Sequence, residues 1–277
     1  MSGSGRVLGG GGVTGVAWEI GLLHGLAEQG VDLTGADLTV GTSAGSVVAA
    51  QLLSGVPLAD LYAAQLAPPT GEIAAQFKIK TLLKYAVAGL WPGDPAAGRA
   101  WLGRQALKAR TVPEAERRAV IAGRVRTEAW PAAELLITAV EAETGSFTVF
   151  DRSSGVSLID AVHASCAVPL TWPPATVNGV RYIDGGMRSV ANVDLARGCD
   201  RVVVIAPITG SVRPAGRPKV QAARLEVPHV VIAPTDLALS KMGRNPLDPA
   251  FRAAAAEAGK QQAVREGEKI SEVWKEK

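Results

Sequence analysis

The chain has little of what a metal site, a disulfide framework or a membrane span requires. Cys166 and Cys199 are its only cysteines in 277 residues, and neither sits in a Cys-x-x-Cys pair. This excludes a disulfide scaffold and fits a reducing compartment. Histidine is as scarce, with His24, His163 and His229 far apart, and no His/Cys/Asp/Glu cluster has metal-ligand spacing. No metal and no cofactor are expected. No apolar run approaches the roughly 18 to 20 residues of a membrane span. Residues 1–5 run into Arg6-Val7-Leu8 without the basic-then-apolar leader of a secretory signal. A net charge of only +3 argues against an extended nucleic-acid footprint. The expectation is a cytoplasmic protein with no nucleic-acid partner, its oligomeric state open.

What is present is core-forming. With 47% hydrophobic and 20% charged residues the chain can bury a sizeable core, and its length suits a single α/β domain over 1–277. Short β-rich runs at 6–8, 38–40, 135–141, 146–150, 180–183, 201–207 and 227–233 alternate with Ala/Leu-rich stretches, the pattern of helices packed on a mostly parallel sheet. Helices are predicted over 16–29, which stops at Gly30, and over 249–274 at the C-terminus. Glu143-Thr144-Gly145 predicts a hairpin.

Two segments depart from the alternation. Residues 68–103 combine Pro68-Pro69, Pro92-Gly93 and Pro95 with an amphipathic run, 73–91, that mixes Lys78, Lys80 and Lys84 with Phe77, Leu82, Leu83, Val87, Leu90 and Trp91. It reads as a helical insertion packed over the core, with a lid or a peripheral membrane-contacting helix as the functional alternatives. Residues 210–224 hold Arg213, Arg217, Lys219 and Arg224 and no acid, and read as a solvated loop in preference to an anion-binding surface.

The chemistry gathers at three motifs. Gly41-Thr42-Ser43-Ala44-Gly45 is a Gly-x-Ser-x-Gly element between a strand-like and a helix-like run. A serine on so tight a turn is pushed out of the backbone toward a cleft, and Gly41 and Gly45 leave room for it. Upstream, Gly10-Gly11-Gly12-Val13-Thr14-Gly15 matches Gly-x-Gly-x-x-Gly after a strand. Backbone N–H groups at such a turn serve a pyrophosphate or an oxyanion equally. The elbow serine one strand later favours the oxyanion, because a nicotinamide-binding domain gives no reason for it. A serine nucleophile also needs a base. Asp184, at a strand end before Gly185-Gly186, is one candidate, and a relay Ser43, Asp184, His229 is the other. His229 opens a strand, at the sheet edge opposite the strand ends where ligand sites gather, which counts against the relay. His24, mid-helix, and His163 read as structural. Glu19 is placed to orient the glycine loop, and Asn192 and Asp194 to fix the turn after Asp184.

These elements resemble the patatin-like phospholipase family: Gly9-Gly10-Gly11-Gly12-Val13-Thr14-Gly15 as its oxyanion loop, the Ser43 elbow, Asp184-Gly185-Gly186 as its aspartate motif, and Ala164-Ser165-Cys166-Ala167-Val168-Pro169 leading to Pro173-Pro174 as the segment ahead of it. The resemblance spans about 6–233. It implies a three-layer α/β/α sandwich and hydrolysis of a lipid acyl ester by a Ser43–Asp184 dyad, without histidine or metal. The N–H groups of Gly10, Gly11 and Gly12, with that of Ala44 as a further donor, would hold the oxyanion. Thr14 stands where the family usually has Arg or Lys. Phospholipase, lysophospholipase and simple carboxylesterase therefore stay open, as does an acyltransferase using the same serine.

Overall fold

A computed structural model describes residues 3–69, 71–76 and 79–275. Phe77 and Lys78 of the amphipathic run lie outside the described residues. The strands are β1 (Ser4–Leu8), β2 (Leu38–Gly41), β3 (Glu134–Glu141), β4 (Phe147–Phe150), β5 (Ala175–Val177), β6 (Val180–Asp184), β7 (Arg201–Ile205) and β8 (His229–Ile232). The helices are α1 (Gly12–Glu28), α2 (Ala44–Leu52), α3 (Leu58–Leu66), α4 (Ile79–Gly89), α5 (Pro95–Leu107), α6 (Glu114–Val125), α7 (Leu158–Ser165), α8 (Pro218–Ala223), α9 (Asp236–Met242) and α10 (Arg252–Lys275).

All eight strands join one sheet in the order β5-β6-β3-β2-β1-β7-β8, with β4 paired to β3. The run β3-β2-β1-β7-β8 is parallel throughout. β4 and β6 pair antiparallel to β3, and β5 antiparallel to β6. The near-continuous Val/Ile/Leu content of the central strands follows from burial on both faces. Leu8, Ile137, Val203 and Ile205 face the layer containing α1, α2, α7 and α10. Val7, Val40, Val202 and Val204 face the opposite layer, with Ala222 of α8 and the segment 191–199, while Val140 and Ile183 pack under Ala106 of α5. The result is an α/β/α sandwich. Small residues bring α1 and α10 together: a Cβ on Gly21 would lie 2.0 Å from the Ala256 carbonyl oxygen, and one on Gly259 would lie 2.2 Å from that of Trp18.

Three local expectations change. α1 starts at Gly12 and not at residue 16, because its hydrogen bonding reaches back into the glycine run, with Gly15 N–H donating to Gly11 O at 2.9 Å. β5 was not predicted, although Asn178-Gly179 is a hairpin signal, and both residues take the left-handed backbone it implies (φ 48° and 79°). The basic segment 210–224 is not all loop, since Pro218 starts α8 with its φ already suited to a first helical turn.

The strand directions create the site. β2 runs along β3 until Gly41 faces Ile137, and β6 runs the opposite way until Asp184 faces Ala139. Their C-terminal ends therefore converge on neighbouring positions of β3.

Candidate active site

The turn after β2 is held by close contacts on both sides. A Cβ on Gly41 would sit 2.7 Å from Ser46 Cα, and one on Gly45 only 2.1 Å from Leu8 O. Between them Ser43 adopts φ 52°, ψ −116°, a conformation that L-residues rarely take and that costs of order 1–3 kcal/mol. The neighbours hold it there. Ser43 N–H donates to Ser165 Oγ (2.9 Å), Thr42 N–H to Leu8 O (3.0 Å) and Gly45 N–H to Gly9 O (2.9 Å). The Ala-Ser-Cys block thus supplies the elbow's hydroxyl support through Ser165. Cys166 donates its thiol to Ser43 O at 3.2 Å, and burial pushes that thiol up to about 11, so it stays protonated.

Ser43 Oγ donates to Asp184 Oδ2 at 2.6 Å. Asp184 is buried, and its Oδ1 accepts from Gly186 N–H at 2.7 Å. Burial raises the carboxyl to about 6, against the opposing pull of the Ser43 and Gly186 hydrogen bonds and the positive charge of Arg117. The aspartate is ionised at neutral pH yet basic enough to take a proton near pH 7. Gly185 is required by contact, because a Cβ there would lie 2.3 Å from Thr138 Oγ1.

Asn192 ties the two strand ends together. Its side-chain nitrogen lies 3.0 Å from Thr42 Oγ1, 3.3 Å from Thr138 Oγ1 and 2.9 Å from Ser189 O. Its Oδ1 accepts from Arg188, which also forms a two-pronged pair with Asp194 at 2.9 and 2.6 Å. The expected loop-fixing role of Asn192 and Asp194 corresponds to this network.

The glycine loop lies beside Ser43 and lines the same cavity. Gly9 N–H donates to Ile205 O (2.9 Å) and reaches Glu19 Oε1 (3.1 Å), a carboxyl that burial raises well above its ordinary range. Of the three expected oxyanion donors, Gly10 is the exception: its N–H donates to Val190 O at 2.7 Å, which fixes the loop and leaves that group unavailable. Gly11, Gly12 and Ala44 have no protein acceptor for their N–H among the described residues. Thr14, at the position where the resembled family usually has Arg or Lys, is fully buried, and its N–H donates to Pro246 O at 3.1 Å.

None of the histidines joins Ser43 and Asp184. His229 pairs with Val202 at the far end of β8, three residues before Ile232, which lies level with Ile205, Leu8 and Gly41. At roughly 3.3 Å per residue that is about 10 Å from the strand ends, and His229 Nδ1 contacts Val227 O at 2.8 Å. His24 stacks on Tyr62 at 4.5 Å, and His163 is buried, its imidazole lowered to about 4 chiefly by desolvation. No group of His, Cys, Asp and Glu among the described residues could hold a metal.

A cavity of about 710 Å³ opens above Ser43 and Asp184. Leu82 and Tyr85 of α4 roof it, residues of 208–216 form one wall, and Arg244, Pro246 and Leu247 form another. Sequence reasoning missed the 244–247 segment, whose place beside the glycine loop comes from the sheet's long-range order and has no local signal. Arg244 is exposed and has no hydrogen-bond or ion-pair partner among the described residues.

A sequence model described as patatin-like phospholipase matches residues 7–197. Among curated proteins the sequence has no significant match. Among solved structures, the chain is similar to VipD from Legionella pneumophila, with TM-score 0.49 and 13% identity, over 97% of this chain and 67% of that one. It is also similar to the type III effector protein ExoU, with TM-score 0.42 and 16% identity, over 96% of this chain and 53% of that one. Because the family's sequence model covers well over half of the residues and spans the glycine loop, the elbow and the aspartate turn, the chain belongs to the patatin-like phospholipase family, hydrolases of lipid acyl esters.

Proposed function

We propose that the protein hydrolyses lipid acyl esters through a Ser43–Asp184 dyad and an acyl-enzyme intermediate. The observation that carries this reading is the 2.6 Å hydrogen bond between Ser43 Oγ and Asp184 Oδ2 in the floor of the cavity. As Oγ attacks the ester carbonyl, its proton passes to Asp184, and the carbonyl oxygen becomes an oxyanion facing the N–H groups of Gly11, Gly12 and Ala44. Asp184 then returns the proton to the departing alcohol. In the second half it accepts a proton from water, whose oxygen attacks the acyl carbon, and the proton returns to Ser43 as the fatty acid leaves. No step needs a histidine, a metal or a cofactor.

A phospholipid fits better than a neutral ester, because Arg244 brings an unpaired cation to the cavity on the segment whose Pro246 carbonyl seats Thr14. The chain acts as one catalytic domain, with α4 supplying the roof. No helix among the described residues is long and apolar enough to cross a membrane. Two unpaired cysteines support a cytoplasmic setting, with the lipid reached by peripheral contact.

Turnover of a p-nitrophenyl acyl ester and of a phospholipid by Ser43→Ala tests the reading. The expected loss is about 10³-fold or more on both, and retained turnover overturns it. His229→Ala is the control: it should match the parent, and inactivity would replace the dyad with a triad. Acyl transfer to an added alcohol that outpaces hydrolysis would make the enzyme a transferase.

A further inference from the structure

α4 carries apolar side chains on two sides. Tyr85, Ala88 and Gly89 line the catalytic cavity, and Tyr85 Oη donates to Pro169 O at 2.7 Å. Leu83, Val87 and Leu90 follow at i, i+4 and i+7 spacing along the other side, and they are 62%, 50% and 68% exposed. A globular protein normally turns such a stripe toward its core, whereas nothing among the described residues covers this one. The apolar surface continues beyond α4. Val212 packs against Gly89, where an added Cβ would lie 2.9 Å from Val212 Cβ, and both Val212 and Ile208 are exposed. Leu82, Ile208 and Val212 also line the cavity, so the patch passes over its lip into the space above Ser43.

The two segments that carry this patch hold charge of one sign, the exposed Asp94 at the start of α5 lying just outside them. Residues 73–91 and 208–225 contain no Asp or Glu, while Lys80, Arg217 and Lys219 stand exposed on the described parts of these segments. Exposed leucines on segments that carry cations and no acid match the boundary between acyl chains and anionic headgroups, where apolar side chains insert and each cation gains from the surface potential. A second copy of the chain is a poor occupant, because pairing the face with itself would bring the cations of two such segments together. An isolated patch of this kind would invite many partners. Continuity with the cavity selects the one that also carries the substrate.

We propose that the outer side of α4, with Ile208 and Val212 and the rim of Lys80, Arg217 and Lys219, docks the protein on an anionic phospholipid bilayer with the cavity mouth against the lipid. The choice of lipid as occupant rests on the acyl-hydrolase reading, while the docking itself is measured without turnover.

The test is flotation of the full-length Ser43→Ala protein with vesicles of phosphatidylcholine alone or mixed with phosphatidylglycerol. Ser43→Ala should float with the mixed vesicles and much less with phosphatidylcholine. Adding Leu83→Glu and Leu90→Glu should weaken that binding more than about tenfold. Arg217→Gln and Lys219→Gln should each weaken it about fivefold. In the Ser43 background the leucine pair should leave p-nitrophenyl ester turnover unchanged, which also shows that it folds, while vesicle hydrolysis falls. Unweakened binding by the leucine pair, or equal binding to both vesicle types, overturns the proposal. So does a dimer in light scattering that the leucine pair dissociates without any vesicle binding, since the face would then join two copies. If Ser43→Ala still hydrolyses esters, the dyad reading fails, and the flotation result still decides the docking.

Discussion

The floor and the roof of the cavity are built on opposite principles. In the floor, backbone and side-chain groups lock one another: Gly45 against Leu8 O, Gly185 against Thr138, Ser43 N–H on Ser165, and Asn192 between the two strand ends. That density lets Ser43 stay at a positive φ and keeps its hydroxyl on a buried carboxylate. The roof, α4, is joined by scattered bonds: Tyr85 to Pro169 O, Lys84 to Gln105, and Arg213 to the carbonyls of Gly89 and Trp91. It leaves leucines in solvent. Proton transfer tolerates misplacement of only fractions of an ångström, whereas lipids vary in chain and headgroup and need a surface that adapts. Rigidity is concentrated where the proposed mechanism moves a proton.

The comparison breaks most directly at Gly45. A methyl group there meets Leu8 O at 2.1 Å, so Gly45→Ala should either shift β1 or straighten the elbow. We expect a loss of about 3 kcal/mol in denaturant unfolding and at least about 10²-fold in turnover of soluble and lipid esters alike. Near-parental values would show that the floor yields as readily as the roof.

Asp184→Asn separates activity from stability. Turnover should fall about 10³-fold, because the amide accepts no proton. In the parent, kcat/KM should rise tenfold per pH unit below about 6 and level off above it, as the carboxylate forms. Stability runs the other way. The folded carboxyl is raised from 3.8 to about 6, so between those values the folded chain holds a proton that the unfolded chain has released, and this contribution is lost as pH rises through 6. Asp184→Asn should remove that slope and gain up to about 3 kcal/mol at pH 7 in thermal or denaturant melts. A variant less stable than its parent at pH 7 would mean that the Ser43 and Gly186 hydrogen bonds outweigh desolvation. Asn192→Ala removes the amide that bonds both Thr42 and Thr138, whose hydroxyls keep their own 3.0 Å contact, without touching the dyad. It should cost about 2 kcal/mol, with a fall in kcat larger than any rise in KM.

The floor was legible in the sequence because its constraints are local. Gly41, Ser43 and Gly45 lie within five residues, and Asp184, Gly185 and Gly186 are consecutive, so the steric reason for each glycine sits beside the group it serves. The alternation of strands and helices was equally open, since a sheet buried on both faces repeats Val, Ile and Leu run by run. What stayed hidden depends on distance along the chain. Gly10 looked like an oxyanion donor until the turn after β6 brought Val190 O to its N–H, 180 residues further along the chain. Arg244 enters the cavity wall only because the loop after α9 closes over Thr14, more than two hundred residues earlier. The stripe on α4 could be counted in the sequence, but which of its sides faced the cavity was fixed by where Pro169 and Gly89 met their partners.

The smallest expected effect is the most specific to the roof. Arg213 donates to Gly89 O at 2.8 Å and to Trp91 O at 2.6 Å, satisfying carbonyls at the C-terminal end of α4 where the helix dipole favours a cation. Both bonds are exposed, so water replaces much of what Arg213→Ala removes, and global stability should change by less than about 1 kcal/mol. The end of α4 loses its tie to the 208–216 wall and should fray first. Amide hydrogen exchange should quicken in α4 while α2 and β6 keep their protection, and p-nitrophenyl ester turnover should change less than twofold. Faster exchange in α2 or β6 as well would mean that floor and roof open together, and that the roof's looseness is only apparent.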